Sequence, residues 1–284
     1  MAKLSDFSIK NTLNCKGRLL SLQEPVVMGI LNMTPDSFYE GGRTSNVDEA
    51  LKRAEKMLQE GATMLDIGGY STRPGASDVP VFEELARIIP VIEGIIKNFP
   101  DCFISVDTFR AQVAREAVMA GAHIVNDISG GDDDPLMFET IASLKVPYIL
   151  MHKKGYVRNM QKNPEYKDVV SEIINSFHPK IQMLKQLGIS DVILDPGFGF
   201  GKTIAHNFQL LNRLNEFHIF GLPVLAGLSR KSTIYRTLNI SAAEALNGTT
   251  VLNTIALLKE AKILRVHDVK EAMECIKLIT NLNG

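Results

Sequence analysis

From Val26 onward the chain repeats one pattern: a short apolar run, a polar or glycine-rich stretch, then a longer segment with apolar positions three and four apart. The apolar runs are residues 26–31, 63–67, 102–106, 123–125, 147–151, 192–194, 223–226 and 263–266, eight in all. They are nearly continuous rather than alternating, which predicts strands buried on both faces, as in a parallel sheet. Between them, residues 46–60 place Leu51, Ala54 and Leu58 on one helical face, with Asn46 at the start and Gly61 as a stop. Residues 110–120 do the same with Val113, Ala117 and Ala120 before Gly121. Residues 81–99 and 163–187 have helical period but carry Pro90 and Pro179. Proline removes a backbone donor and crowds the preceding turn, so both segments are expected to kink or split there. Residues 268–282 close the chain with Val269, Met273, Ile276 and Ile279 on one stripe.

Eight strand–helix units over about 255 residues predict an α/β TIM (β/α)8 barrel, which typically takes about 250. The barrel is expected over residues 26–284 as a single domain, preceded by a polar hairpin or cap over residues 1–25. Composition adds exclusions. Lys plus Arg is 31 and Asp plus Glu 32, a net charge of −1, so no global basic field draws nucleic acid or an anionic membrane. Cys15, Cys102 and Cys275 are scattered, with no C-x-x-C, which argues against a disulfide framework or a zinc site. Without an apolar leader or a run of 18 apolar residues, the expected setting is the cytoplasm.

In such a barrel the C-terminal strand ends build the site. They read as follows: Asn32 with Thr34 to Phe38 after the first strand, and Asp66 with the Ser71-Thr72-Arg73 loop after the second. Asp107 ends the third, Asn126 and Asp127 the fourth, His152 the fifth and Asp195 the sixth. Ser229-Arg230-Lys231-Ser232 follows the seventh, and Arg265 and His267 lie at the eighth. The set divides by chemistry. Arg73, Arg230, Lys231, Arg265 and His267 suit a multiply charged anion, with Ser71, Thr72 and loop amides as further donors. Asn32 offers an oxygen for Mg²⁺, which keeps waters and bridges to substrate phosphates. Asp107, Asn126 and Asp195 complement a flat heterocycle with N–H and amino edges. The glycine run 195–203 is not a P-loop, because the first required glycine falls on Pro196, which argues against nucleotide hydrolysis. It is expected as a flexible loop that presents Phe198 or Phe200 over the pocket, with Lys202 in solvent.

Six stretches carry a family resemblance: G-I-L-N-M-T-P-D-S-F at 29–38, G-G-Y-S-T-R-P-G at 68–75, N-D-I-S-G-G at 126–131, D-P-G-F-G-F-G-K at 195–202, G-L-S-R-K-S at 227–232 and R-V-H-D at 265–268. In order and spacing, from about Val26 to the C-terminus, the chain resembles the dihydropteroate synthase family. The resemblance implies a transferase of folate biosynthesis that joins 6-hydroxymethyl-7,8-dihydropterin pyrophosphate to p-aminobenzoate, with Mg²⁺ at Asn32. It implies that Asp107, Asn126, Asp195 and Lys231 hold the pterin, and that Thr72, Arg73, Arg265 and His267 hold the pyrophosphate. Phe38, Thr72, Pro74, Phe200, Lys231 and Ser232 would border p-aminobenzoate, where sulfonamides would compete, and the family is usually homodimeric. The expected chemistry is dissociative, with pyrophosphate leaving first. Arg73, Asp107, Lys231, Arg265 and His267 are the expected catalytic groups. The glycine pairs 41–42 and 68–69 mark loops expected to close over the site. Two positions depart from the family pattern. Tyr70 stands where Glu or Gln is common, and Lys153, in the Lys153-Lys154-Gly155-Tyr156 loop, stands where a pocket-walling Met is common. Competing readings are a methyltetrahydrofolate:corrinoid-type methyltransferase and a catalytically inactive pterin-binding paralogue.

Overall fold

The computed structural model describes residues 9–33, 43–70, 78–155 and 164–283. The chain opens with a hairpin, β1 (Thr12–Cys15) and β2 (Arg18–Ser21), paired antiparallel. Its two-residue turn has Lys16 at φ 56° and Gly17 at φ 88°. Two positive φ values match the right-handed twist of the flanking strands. Asn14 Oδ1 accepts from Gly17 N at 2.7 Å and steadies the turn.

Eight strands follow: β3 (Val26–Asn32), β4 (Met64–Gly68), β5 (Phe103–Asp107), β6 (Ile124–Asp127), β7 (Tyr148–Met151), β8 (Val192–Asp195), β9 (Leu225–Ala226) and β10 (Ile263–Val266). All pair in parallel in the order β8-β7-β6-β5-β4-β3-β10-β9, and a parallel bridge from Leu194 to Val224 brings the two edges together. The expected (β/α)8 barrel is the fold. Each of the eight apolar runs of the sequence is a barrel strand, shifted at its ends by no more than a residue or two.

The helices are α1 (Arg43–Gln59), α2 (Val81–Asn98), α3 (Ala111–Met119), α4 (Met137–Leu144), α5 (Val169–Gln186), α6 (Ile204–Asn212), α7 (Ser232–Leu238), α8 (Leu246–Leu258) and α9 (Val269–Asn283). Two expectations are corrected. Pro90 does not split α2, and Pro179 does not split α5. Both prolines sit on the exposed face, where water can satisfy the carbonyl each leaves unpaired. In α2, burial of Ile88, Val91, Ile92 and Ile95 on the other face contributes roughly 1.5–3 kcal/mol per side chain. That outweighs the ~3 kcal/mol cost of one internal proline. The second segment also begins later than its periodicity suggested, at Val169, because Asp168 caps it by accepting from Ser171 N at 2.7 Å.

The barrel interior is layered by the strand pleat. Met28, Met64, Phe103, Ile149, Ile193 and Ile263 point inward near the strand starts, where Leu13, Cys15, Leu20 and Leu22 of the hairpin pack onto them. The hairpin is thus a plug for the lower mouth. Two residues further along β4, β5, β6, β8 and β10 the inward positions turn polar, with Asp66, Ser105, Asn126, Asp195 and Arg265, while Ile30 on β3 and Met151 on β7 stay apolar.

Candidate active site

The polar layer is organised around Arg265, on β10. Its Nε donates to Asp66 Oδ2 on β4 at 2.6 Å, and its Nη2 donates to Asp107 Oδ2 on β5, also at 2.6 Å. Asn126 Nδ2, on β6, donates to the same Asp66 oxygen at 2.9 Å. Four strands therefore meet in one charge-assisted network. Asp66 Oδ1, Ser105 Oγ and Asn126 Oδ1 are buried and have no hydrogen-bond partner among the described residues. Buried acceptors without partners are costly, which makes these the atoms a bound donor would satisfy.

Charge in this layer is held in unusual states. Burial pushes the Asp107 carboxyl above its ordinary range; Arg265 opposes the rise and Asp66 adds to it. Burial likewise raises Asp195 against the pull of Lys231, while Gly197 N donates to Asp195 Oδ1 at 2.7 Å. Lys231 is pushed down to about 8 by burial, in spite of Asp195. Its Nζ donates to Phe198 O and lies 4.9 Å from the centre of the Phe200 ring. Arg265 is desolvated, but Asp66 and Asp107 keep it firmly charged. His267 lies past β10; desolvation, then the charge of Arg265, holds it down at about 4. Its Nδ1 is 2.9 Å from Ser229 Oγ, and that hydroxyl also accepts from His267 N at 3.2 Å, so Ser229 orients the imidazole.

Most described residues singled out from sequence converge at the strand ends. Asp107, Asn126, Asp195, Lys231 and Arg265 are linked by hydrogen bonds and mutual charge at the strand ends, Phe200 lies against Lys231, His267 follows β10, and Ser232 opens α7. Asn32 ends β3 beside β4, its Oδ1 3.7 Å from where a Cβ on Gly68 would stand. Phe38, Thr72, Arg73 and Pro74 lie outside the described residues, as do the glycines at 41 and 42 and Tyr156.

Three expectations change. Arg230 does not join the cationic set: it has φ 53°, grips Asp268 through two bonds of 2.8 Å, and donates to the carbonyls of Ala242 and Ala243. Lys202 is not solvated. It is buried, with Nζ 2.9 Å from Gly197 O, 3.1 Å from Phe200 O and 3.1 Å from His152 Nδ1. The glycine run is a packed turn rather than a flexible loop. A Cβ on Gly197 would stand 1.9 Å from His152 O, and one on Gly201 would stand 2.3 Å from Lys154 O. Phe198 is core, so Phe200 alone faces the pocket side. Asp127 and His152, also strand-end candidates, serve the scaffold. Asp127 accepts from Ser129 N, Gly131 N and the Tyr148 hydroxyl at 2.7, 2.8 and 2.7 Å, and His152 is buried against Lys202.

The two departures also find partners. Tyr70 packs edge-on against Phe109 with ring centres 5.0 Å apart, and its hydroxyl donates to Asp78 at 3.2 Å. Lys153 Nζ pairs with Asp133. The residue missing from the assigned site is Asp66. Its signal was present: it is the first charge to interrupt an apolar strand.

A parallel barrel that gathers acceptors for a flat nitrogen heterocycle beside arginine, lysine and histidine defines an enzyme that binds such a ring next to an anion. Residues 28–267 match the family described as pterin binding enzyme. The chain belongs to that family, in its dihydropteroate synthase branch. It is 47% identical over 266 residues to the dihydropteroate synthase of Escherichia coli K12, covering 93% of this chain and 94% of that one. Among solved structures it superposes on Yersinia pestis dihydropteroate synthase in a sulfonamide drug complex with TM-score 0.90 and 45% identity, covering 96% and 99% of the two chains. The Xanthomonas albilineans enzyme in complex with 7,8-dihydropteroate gives TM-score 0.87 and 38% identity at the same coverage.

Proposed function

We infer that the chain condenses 6-hydroxymethyl-7,8-dihydropterin pyrophosphate with p-aminobenzoate, giving 7,8-dihydropteroate and pyrophosphate. The carrying observation is the Asp66–Arg265–Asp107 network with Asn126, whose unpartnered oxygens face the barrel interior. It offers a heterocycle both acceptors and a fixed cation. The methylene C–O bond to pyrophosphate breaks first and takes its electron pair with the leaving group. Asp107, Asn126, Asp195 and Lys231 hold the ring, and the Asp107 carboxylate stabilises positive charge spread from the methylene into it. Arg265 and His267, with Thr72 and Arg73 assigned from sequence, meet the charge that grows on the departing oxygen, a large contribution where water is excluded. The aniline nitrogen then forms the new C–N bond and loses its proton. Phe200, Lys231 and Ser232, with Phe38, Thr72 and Pro74 from sequence, border that second substrate, and sulfonamides compete there.

The described residues hold no group of three His, Cys, Asp or Glu suited to a metal. A single amide oxygen, Asn32 Oδ1, fits Mg²⁺ of the kind that is bound mainly by water and substrate phosphates. When bound it neutralises charge on the leaving pyrophosphate. A homodimer is part of this reading. Val251, Leu258, Leu278 and Leu282, on α8 and α9, are 50–72% exposed, and α8 packs on α9. Sedimentation as a monomer at micromolar concentration would remove the dimer.

The test of function is pyrophosphate release on mixing the purified protein with both substrates, with and without Mg²⁺. Mg²⁺-dependent release with dihydropteroate formed is expected. Pterin binding with no product would leave a binding protein in place of the enzyme.

A further inference from the structure

We propose that Asp66 is a positioning residue that fixes the polarity of the Asn126 amide and the plane of the Arg265 guanidinium, and so decides that the pocket accepts ring N–H donors at residue 126. The proposal rests on the pterin-binding reading above and deepens it.

An isolated asparagine cannot break the near-symmetry of its own amide. Oxygen and nitrogen of the amide are nearly equal in size, so shape alone lets the group present either an acceptor or a donor. At Asn126, which is 3% exposed, one end of the amide meets Asp66 Oδ2 at 2.9 Å. An ionised carboxylate only accepts, so that end must be Nδ2. The other end, Oδ1, is then left toward the interior, buried and without a partner among the described residues. The same Asp66 oxygen receives Arg265 Nε at 2.6 Å, while Arg265 Nη2 is held by Asp107 at 2.6 Å. Two carboxylates on different atoms of one guanidinium fix its plane, a geometry Lys could not reproduce.

The partners of Asp66 are built in. The residue has no solvent exposure, and Arg265 sits against it. A buried carboxyl without partners would be costly, and here a guanidinium and an amide both donate to it. Sequence placement agrees. Asp66 is flanked by Leu65 and Ile67, which point outward into the shell beneath the helices, so pleat alternation leaves residue 66 only the interior.

The test is an exchange of groups. Asp66→Asn removes the acceptor-only partner, so the Asn126 amide can turn over. Affinity for 6-hydroxymethylpterin, measured by calorimetry with no chemistry occurring, should fall about tenfold to a hundredfold. The KM for p-aminobenzoate should stay within about twofold, since this partner lies outside the p-aminobenzoate border. Adding Asn126→Asp restores one carboxylate and one amide in exchanged places, with an acceptor again facing the pocket. The double variant should recover at least about tenfold of the lost pterin affinity. Losses that simply multiply in the double variant would overturn the proposal.

Asn126→Asp alone keeps Arg265 paired and covers the case in which Asp66→Asn does not fold. It sets two carboxyls against each other, so they must share a proton. Pterin affinity in that variant should become pH-dependent, falling as pH rises and the shared proton leaves. A pH dependence of affinity no different from that of wild type would also overturn the proposal. Wild type reports on the underlying reading. If it binds pterin but releases no pyrophosphate, the catalytic reading fails and the exchange still judges Asp66. If it binds no pterin, both fail.

Discussion

The two halves of the barrel interior share most of their strands and differ in the chemistry those strands turn inward. Below, Met28, Met64, Phe103, Ile149, Ile193 and Ile263 meet the hairpin in a dry apolar contact. Above, one pleat repeat later, Asp66, Ser105, Asn126, Asp195 and Arg265 form a polar layer in which three buried oxygens lack protein partners among the described residues. The lower half lowers the free energy of the fold, and the upper half raises it by desolvating charge. The difference is tolerable because the strands are anchored twice, by the plug below and by the shell of helices outside. Function is thus confined to the end of the barrel where the scaffold has stability to spare.

The upper half is most vulnerable at Arg265. Arg265→Ala leaves Asp66 and Asp107 buried without their cation. Catalytic efficiency in the pyrophosphate-release assay should drop by at least about a thousandfold, and denaturant unfolding should show a loss of about 3–5 kcal/mol. Retained activity would mean that the polar layer does not hold the leaving group.

A lower-half change should separate the two effects. Ile193→Ala opens a cavity in the plug contact, where Ile193 is fully buried. Stability should fall by about 2–5 kcal/mol, with KM for both substrates unchanged at a temperature where the protein remains folded. A rise in either KM would show that the halves are coupled.

Lys231 tests the electrostatics of the upper half. Burial lowers it to about 8 from an ordinary 10.5, so it carries its charge below that value and loses it as pH rises through it. The reaction needs the ammonium, so kcat/KM should decline above pH about 8. The guanidinium of Lys231→Arg does not titrate there, so this alkaline limb should vanish even if the rate drops about tenfold. An unchanged limb would assign it to another group.

The smallest effect belongs to the hairpin turn. Gly17 has φ 88°, and no atom lies within 4 Å of where its Cβ would stand, so Gly17→Ala strains only the backbone. It should cost about 1 kcal/mol in thermal or urea unfolding and leave activity unchanged.

How far the sequence reached can be read from individual residues. Continuous apolar runs located all eight strands, because strands buried on both faces stay mostly apolar up to their working ends. Polar residues at the ends of those runs located Asp107, Asn126, Asp195, Lys231, Arg265 and His267. Prolines misled at positions 90 and 179, where burial of the opposite helix face outweighed a local preference. The cation at residue 202 misled as well. Lysine is ordinarily solvated, and only the fold supplies the carbonyls of Gly197 and Phe200 and the His152 nitrogen that make its burial tolerable. Arg230 looked equal to Arg265 by type, and the positive φ that turns it toward Asp268 is a property of the folded turn.

Periodicity and residue type by themselves determined the barrel, the working end and the kinds of group gathered there, since the strand pleat and the C-terminal placement of sites depend only on local order. Which groups pair was decided by tertiary structure alone. Asp66 and Arg265 are 199 residues apart in the chain and 2.6 Å apart in space. Closing the barrel sets such distances, and with them which charges are held, which amide faces inward and which cation turns away.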